Sequence, residues 1–316
     1  MTDRATAVVF EQPGQLAVRP VALAEPGAGD CVVDVEWSGI STGTERLLWL
    51  GRMPAFPGLA YPLVPGYETV GKVSAVGSSC ELSVGQRVFV PGSRGFTDVQ
   101  GLFGGAAERL VVDARRVTPL ADGLGEEATL LALAATAHRA VTRGPAGSLP
   151  DLIIGHGVLG RLAARMVMAL GGAAPTVWEN QASRRAGAEG YSVIDPEADT
   201  RSDYRLICDA SGAPGLLDQL ITRLAPAGCI ILAGFYQEPV SFAFPPAFMR
   251  EAQLRISAEW QPADLVSVTE LIARDGLSLD GLITHRSPAA DADPAYEQAF
   301  ADVDCLKMIL DWRSVK

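Results

Sequence analysis

The chain has 316 residues, 48% hydrophobic and 20% charged, which suits two folded domains with well-buried cores and excludes disorder. A formal charge of −11 argues against a nucleic-acid binder, because such proteins need a Lys/Arg surplus on the binding face. No apolar run approaches the roughly 18 residues of a membrane helix, and "MTDRATAVVF" lacks the apolar region of a signal peptide, so a cytoplasmic protein is expected.

From Ala5 to about Val117 the pattern is short strands broken by Gly and Pro: "TAVVF", "CVVDVEWSGI", "VGKVSAVG", "QRVFVPG", "ERLVVD". This spacing predicts a small, mostly antiparallel barrel. A helix is expected over Glu126 to His138, and strands then alternate with helices: "DLIIG", a helix from Val158 to Leu170, "PTVWE", a short helix near Arg184, "SVI", "RLICDA", a helix from Pro214 to Leu224, "GCIILAGF" and "LRISAE". Such alternation implies parallel strands with crossover helices, a doubly wound α/β sheet. After a helix around Val266 to Arg274, the tail reads as strand, loop, helix and strand returning to the first domain, with "DADPAYE" an acidic loop. The expected division is residues 1–122 plus 283–316 for the barrel domain and 123–282 for the sheet domain. The five cysteines are dispersed and form no C-x-x-C pair, so structural zinc is not expected; Cys31, Cys208 and Cys229 read as small buried hydrophobes.

Gly155-His-Gly-Val-Leu-Gly160 fits G-x-G-x-x-G. The match is weak alone but strong after an apolar strand and before an amphipathic helix. Gly155 makes the tight turn, Gly157 admits the pyrophosphate, and Gly160 lets helix and strand pack closely. The pyrophosphate would rest on the amides opening the helix, those of Val158 and Leu159 among them, and His156 reads as a spacer. The next strand ends in Glu179, 24 residues beyond the first glycine. A carboxylate there accepts both ribose hydroxyls and repels a 2′-phosphate, favouring NAD, while Arg184 and Arg185 keep NADP open. The loops with Asp209, Ser211 and Gly212, and with Gly234 and Phe235, follow later strands and are expected to line the nucleotide site.

A barrel-like domain, a G-x-G-x-x-G sheet and a return segment together resemble the medium-chain dehydrogenase/reductase superfamily, whose first domain is GroES-like and whose second is a Rossmann sheet. The likeness rests on "VEWSGIS", "PLVPGYETVGKVSAVG", "VGQRVFVPG", "ATAHRAV" and "CDASGAPGLLDQLITRLAPAGCIILAGF". It implies that Thr136 lies near the nicotinamide and Arg184 beside the adenosine. Zinc members would show Cys at Ser41, Gly-His-Glu at Gly66-Tyr67-Glu68 and a third ligand near Leu133. Here only the glutamate is retained, and His138, His156 and His285 occupy none of those places, so a metal-free enzyme is expected. Within the superfamily, "GISTGTERLLWLGRMPAFPG" with "GYE" and "LKMILDW" is similar to the branch that oxidises the 3-(1-hydroxyethyl) group of a bacteriochlorophyllide to acetyl with NAD.

The resemblance frames a chemical problem. Oxidising a secondary alcohol also removes its hydroxyl proton, which zinc ordinarily eases by stabilising alkoxide. A conjugated macrocycle spreads the positive charge that grows as hydride leaves, so less alkoxide character is needed. Tyr67 is the first choice as donor and acceptor at the oxygen. Its ordinary pKa of about 10 calls for a helper, Glu45 or Glu68, with Ser41 and Thr44 orienting the oxygen. Competing readings make Tyr67 an aromatic wall, Glu68 a carboxylate paired to an arginine of the nucleotide domain, and Glu45 a solvated side chain. Leu48, Trp49, Met53 and Phe56 are candidate contacts for a flat tetrapyrrole, with Arg46 and Arg52 candidates for its propionate. A quinone or enone reductase of the same superfamily and a non-catalytic NAD-binding protein are the alternatives; a homodimer is compatible with the sequence.

Overall fold

The apolar run in "RATAVVFEQ" makes β1 (Arg4–Gln12) a strand whose middle, Ala7 to Phe10, is buried on both faces while its ends reach the surface. The Pro13-Gly14 turn reverses it into β2 (Gln15–Ala22), and Gly14, at φ +74°, supplies the left-handed residue the reversal needs. β3 (Asp30–Ile40) is the longest strand, and α1 (Thr44–Trp49) follows it directly, a short helix the sequence pattern did not announce. Then come β4 (Leu63–Val64), β5 (Thr69–Val76), β6 (Arg87–Val90), β7 (Gln100–Gly101), β8 (Arg109–Asp113) and β9 (Thr118–Pro119). β3 pairs antiparallel with both β5 and β8, and two register shifts against β5 bend it, as bulges do.

In this computed structural model residues 3–55, 57–121 and 123–315 are described; Phe56, an expected substrate contact, lies outside them. Contacts divide the chain into one unit of Met1–Ala132 with Leu282–Lys316 and a second of Leu133–Gly281. The boundary falls at Ala132 where 122 was expected. The expected helix from Glu126 is in fact a 3-10 turn (Glu126–Leu130) packed on β3 and β5, followed by α2 (Leu131–Val141).

The second unit holds β10 (Leu152–Ile154), α3 (Val158–Ala169), β11 (Thr176–Trp178), β12 (Ser192–Ile194), β13 (Tyr204–Asp209), α4 (Leu217–Arg223), β14 (Leu224–Leu232), α5 (Phe244–Met249), β15 (Gln253–Ile256) and α6 (Pro262–Ala273). The sheet runs β12-β11-β10-β13-β14-β15 with every pair parallel. Relabelled within this sheet, that is the order 3-2-1-4-5-6 of dinucleotide-binding folds, whose chain reverses direction across the sheet between β10 and β13. Cys208 and Cys229 are buried in its strands.

β16 (His285–Pro288), α7 (Ala292–Ala301) and β17 (Met308–Asp311) complete the first unit. β17 pairs antiparallel with β3, so the seven-stranded sheet reads β16-β17-β3-β5-β6-β9 with β8 also on β3, beside a four-stranded sheet β2-β1-β4-β7. The core between them includes Phe10, Cys31, Leu48, Leu63, Tyr296 and Trp312. The "DADPAYE" segment is therefore not a loop: α7 buries Ala292, Ala295, Tyr296 and Ala299, a stripe at helical spacing. No described helix is long and apolar enough to cross a membrane.

Candidate active site

In the first unit, the end of β3, the start of α1, the turn before β5 and the start of β17 converge on a buried polar cluster. Tyr67, half-buried, places its hydroxyl 2.7 Å from Ser41 Oγ and 3.4 Å from Thr44 Oγ1. Its ring meets Phe103 edge-on at 5.1 Å, which fixes the direction in which the hydroxyl points. Burial, and secondarily the Glu68 carboxylate, push the Tyr67 phenol above its ordinary value. Tyr67 therefore remains a phenol at neutral pH and can pass or donate a proton, but cannot hold the charge of a base.

Glu45 is fully buried. Its Oε1 accepts the Ser41 amide at 3.0 Å and its Oε2 accepts the Tyr296 hydroxyl at 2.6 Å. The reading of Glu45 as a solvated side chain is thus corrected: α1 points it inward, against α7. Burial raises its carboxyl to about 7, against the pull of the hydrogen bonds from Tyr296 and Ser41. Burial also drives the Tyr296 phenol well above its ordinary range, the neighbouring Glu45 adding to the effect.

Glu68 is equally buried and pairs with Lys307, whose Nζ lies 2.6 Å from Oε2 and donates to the Ile40 carbonyl at 3.0 Å. The partner is a lysine of the return segment, at the start of β17, and not the arginine of the nucleotide domain that the sequence reading allowed. A side chain at Gly39 would place Cβ 2.1 Å from Glu68 Oε2, so glycine is needed there to admit the carboxylate. Glu68 Oε1 has no hydrogen-bond partner, and burial raises this carboxyl while Lys307 opposes the rise. Two carboxylates against one ammonium leave an excess negative charge in a dry site. That excess adds to the burial that makes the cluster hold on to a proton near neutral pH.

At two of the places where the resemblance puts zinc ligands stand a hydroxyl at Ser41 and a phenol at Tyr67, the retained Glu68 is a carboxylate already paired with an ammonium, and the third place, near Leu133, falls in the apolar run that opens α2. Among the described residues no three His, Cys, Asp or Glu side chains converge as a metal would require. This donor set does not fit zinc.

Of the expected substrate contacts, Leu48 is a fully buried core side chain and is corrected to that role; its carbonyl accepts the Tyr61 hydroxyl. Trp49 and Met53 are partly buried and packed on the core, Trp49 edge-on to Phe10 at 5.5 Å.

In the second unit, Gly155 takes φ +92°, and a Cβ on Gly160 would come within 1.8 Å of the Gly155 carbonyl, so no other residue fits at the start of α3. A Cβ on Gly157 would meet nothing within 4 Å. Glycine at that position is not demanded by this chain's own packing, and it leaves bare backbone for a pyrophosphate to approach. The loop therefore fits a dinucleotide, whose phosphates the α3 amides from Val158 and Leu159 onward would hold.

Glu179, at the end of β11, accepts the His156 amide at 3.0 Å through Oε2 and the Gln181 amide at 2.8 Å through Oε1. A carboxylate has about four acceptor positions, so two remain for ribose hydroxyls. Arg185 is held locally, donating to the carbonyls of Glu179 at 2.7 Å and Asn180 at 2.9 Å and pairing with Asp195. Arg184 is half-buried in the same loop.

His156 is no mere spacer. It is fully buried, Nδ1 donates to the Arg184 carbonyl at 2.6 Å, and Nε2 accepts the Tyr191 hydroxyl at 2.8 Å, the tautomer being set by these partners. Burial and then Arg161 lower it to about 4. Arg161 donates to the carbonyls of His156, Arg184, Ala186 and Gly187, tying the glycine loop to the loop after β11.

Asp209 is buried and its carboxylate is taken up locally: Oδ1 accepts Ser211 N at 2.9 Å and Ser211 Oγ at 2.6 Å, and Oδ2 accepts the Tyr236 hydroxyl at 2.5 Å. These three bonds make it a brace for the loops that were expected to line the nucleotide site. A Cβ on Gly234 would strike Gly212 N at 2.3 Å, so these loops touch through their glycines, with Phe235 about half exposed beside them. Thr136 is half-buried on α2.

Residues 27–122 match the alcohol dehydrogenase GroES-like domain family. The chain is 57% identical to the 2-desacetyl-2-hydroxyethyl bacteriochlorophyllide A dehydrogenase of Rhodobacter capsulatus, over 98% of both chains. It is 55% identical to that of Cereibacter sphaeroides, over 98% of this chain and 99% of the other. Among solved structures, the RspB alcohol dehydrogenase of E. coli CFT073, complexed with NADH, superposes with a TM-score of 0.84 over 98% of this chain and 99% of that one, at 23% identity.

Proposed function

We propose the following from one premise: this chain belongs to the medium-chain dehydrogenase/reductase family, with the bacteriochlorophyllide dehydrogenases as its relatives at more than half identity. It oxidises the 3-(1-hydroxyethyl) group of a bacteriochlorophyllide to acetyl, in bacteriochlorophyll biosynthesis. Near-full-length identity of 57% to a dehydrogenase of that substrate carries the reading. NAD accepts the hydride when bound. The preference for NAD over NADP is supported by Glu179, which sets a carboxylate where a 2′-phosphate would lie, and by Arg185, already engaged within its own loop.

The chain's own residues handle the proton. The Tyr67 hydroxyl receives the alcohol's hydrogen bond and passes a proton to Ser41 Oγ, its neighbour at 2.7 Å. Glu45, which meets Ser41 at its amide and not at Oγ, is the nearby group whose carboxylate form becomes populated above about pH 7; one water bridging Ser41 Oγ and Glu45 would complete the path by which it takes the proton up. Thr44 holds the Tyr67 hydroxyl from the other side. Burial, helped by the neighbouring Glu68 carboxylate, keeps Tyr67 in the phenol form. The macrocycle's conjugation lowers the demand for alkoxide, so no divalent cation is required.

The test offers the purified protein NAD or NADP with a 3-(1-hydroxyethyl) bacteriochlorophyllide, with simple alcohols, and NADPH with a quinone. A shift of the pigment's absorption matched by stoichiometric NADH supports the reading. Quinone-dependent NADPH consumption without pigment oxidation would replace it with a reductase, and tight nucleotide binding without any turnover with a non-catalytic role.

A further inference from the structure

The first unit contains a cavity of about 550 Å³ that none of the expected site residues lines. Its walls are the 57–62 and 94–102 segments, with Tyr61, Phe96, Val99 and Leu102 as apolar surface and Arg94 as a cation. The walls are built rather than incidental. Gln100 N donates to the Pro62 carbonyl at 3.0 Å and Leu102 N to Val64 at 2.9 Å, binding the two segments together. Tyr61 is anchored through its hydroxyl to the Leu48 carbonyl, which leaves the ring as a fixed plate. Ser93 pins the base of the second segment, donating to Val111 O and accepting Gly95 N at 2.9 Å.

Charge distinguishes the two ionic groups of the wall. Asp98 is occupied by the Ala22 amide at 2.8 Å and lies 3.7 Å from Arg4. Arg94 is exposed, and among the described residues no carboxylate lies within ion-pair distance of it. In a chain of net charge −11 a cavity that combines two aromatic rings with polar wall groups and presents an unneutralised guanidinium is matched to a flat ligand bearing a carboxylate. Leu102 of the wall is followed in the chain by Phe103, whose ring meets Tyr67 edge-on at 5.1 Å.

We propose that this cavity seats the carboxylate-bearing edge of the chlorin macrocycle, with Arg94 binding the free propionate and Tyr61 and Phe96 flanking the ring plane. The inference rests on the functional reading above. A chlorophyllide is by definition the unesterified acid, so Arg94 would also discriminate it from its esterified successor. Arg46 and Arg52, the arginines the sequence suggested for this task, do not line the cavity.

The experiment compares the bacteriochlorophyllide acid with its propionate methyl ester, using the wild type, Arg94→Met, Arg94→Lys and, as a control, Arg52→Met. The wild type should show a KM for the acid about tenfold below that for the ester, a factor ordinary for a charge-assisted contact at a partly exposed site. Arg94→Met should raise the acid's KM to the ester's value at unchanged kcat and leave the ester alone, and Arg94→Lys should recover part of the loss. Equal KM values for acid and ester in the wild type would overturn the proposal. So would an Arg94→Met variant that affects both compounds alike or neither, or an acid-selective loss in Arg52→Met. Absence of wild-type turnover with either compound would overturn the functional reading along with it, which separates the two failures.

Discussion

Replacing Glu45 by Gln removes one ionisation and little else. The amide keeps an oxygen to accept the Ser41 N–H and gains an N–H₂ that can donate to Tyr296, whose hydroxyl then accepts where it formerly donated. In the folded protein the Glu45 carboxyl sits at about 7 rather than its ordinary 4.5. A carboxyl raised on folding binds its proton more tightly in the native state. Its contribution is full below pH 4.5 and is lost as pH rises through 7, where the folded protein must hold a buried carboxylate. At 1.36 kcal/mol per tenfold change in proton affinity, the loss amounts to about 3 kcal/mol by pH 9. Gln cannot ionise and escapes it. Urea denaturation of wild type and Glu45→Gln should therefore give nearly equal stabilities at pH 5 and a variant more stable by about 2 to 3 kcal/mol at pH 9. In the same variant the rise of wild-type kcat through about pH 7 should disappear, with kcat reduced at pH 8. A stability difference that is flat from pH 5 to 9 would refute the reasoning about the buried carboxyl. A rising limb that persists in the variant would remove Glu45 from the proton path.

Lys307→Met leaves Glu68 buried without its counter-ion. It should cost about 3 to 5 kcal/mol in urea denaturation, whereas Lys307→Met combined with Glu68→Gln should recover much of that. Gly160→Ala forces a Cβ into the Gly155 carbonyl and should abolish NADH binding, read by nucleotide fluorescence, while the first unit's polar cluster is untouched. The homodimer compatible with the sequence is tested on the exposed Phe244, Phe248 and Met249 of α5. Sedimentation velocity should show a dimer for the wild type and a monomer for Phe248→Asp; a monomeric wild type at micromolar concentration would remove that assignment.

The parts of the molecule written as local pattern were legible. The glycine loop stands between an apolar strand and an amphipathic helix, and a run of alternating strands and helices leaves few topologies other than the parallel sheet. Tyr67 was legible because a turn keeps its flanking Gly66 and Glu68 when the central residue changes. What escaped was long-range pairing. Tyr296 sits within acidic residues that disguise a helix, although Ala292, Ala295, Tyr296 and Ala299 carry the spacing of a buried stripe. Lys307 stands at the head of the apolar strand "MILD", and a lone lysine there required a buried carboxylate somewhere; the sequence offered no way to choose Glu68, 239 residues away. Glu45 and Glu68 could be named as helpers, but their difference arises from partners: Glu68 has an ammonium and Glu45 has only hydrogen-bond donors. His156 looked like filler because its two partners, the Arg184 carbonyl and Tyr191, come from a different loop.

The proposed proton path uses hydroxyl and carboxyl groups in the place where zinc members of the superfamily would hold a metal. The most direct measurement is kcat for the hydroxyethyl bacteriochlorophyllide before and after exhaustive chelation, with zinc quantified in the same protein. Zinc far below one equivalent and an unchanged kcat are the predicted result; stoichiometric zinc whose removal abolishes turnover and whose return restores it would contradict the account.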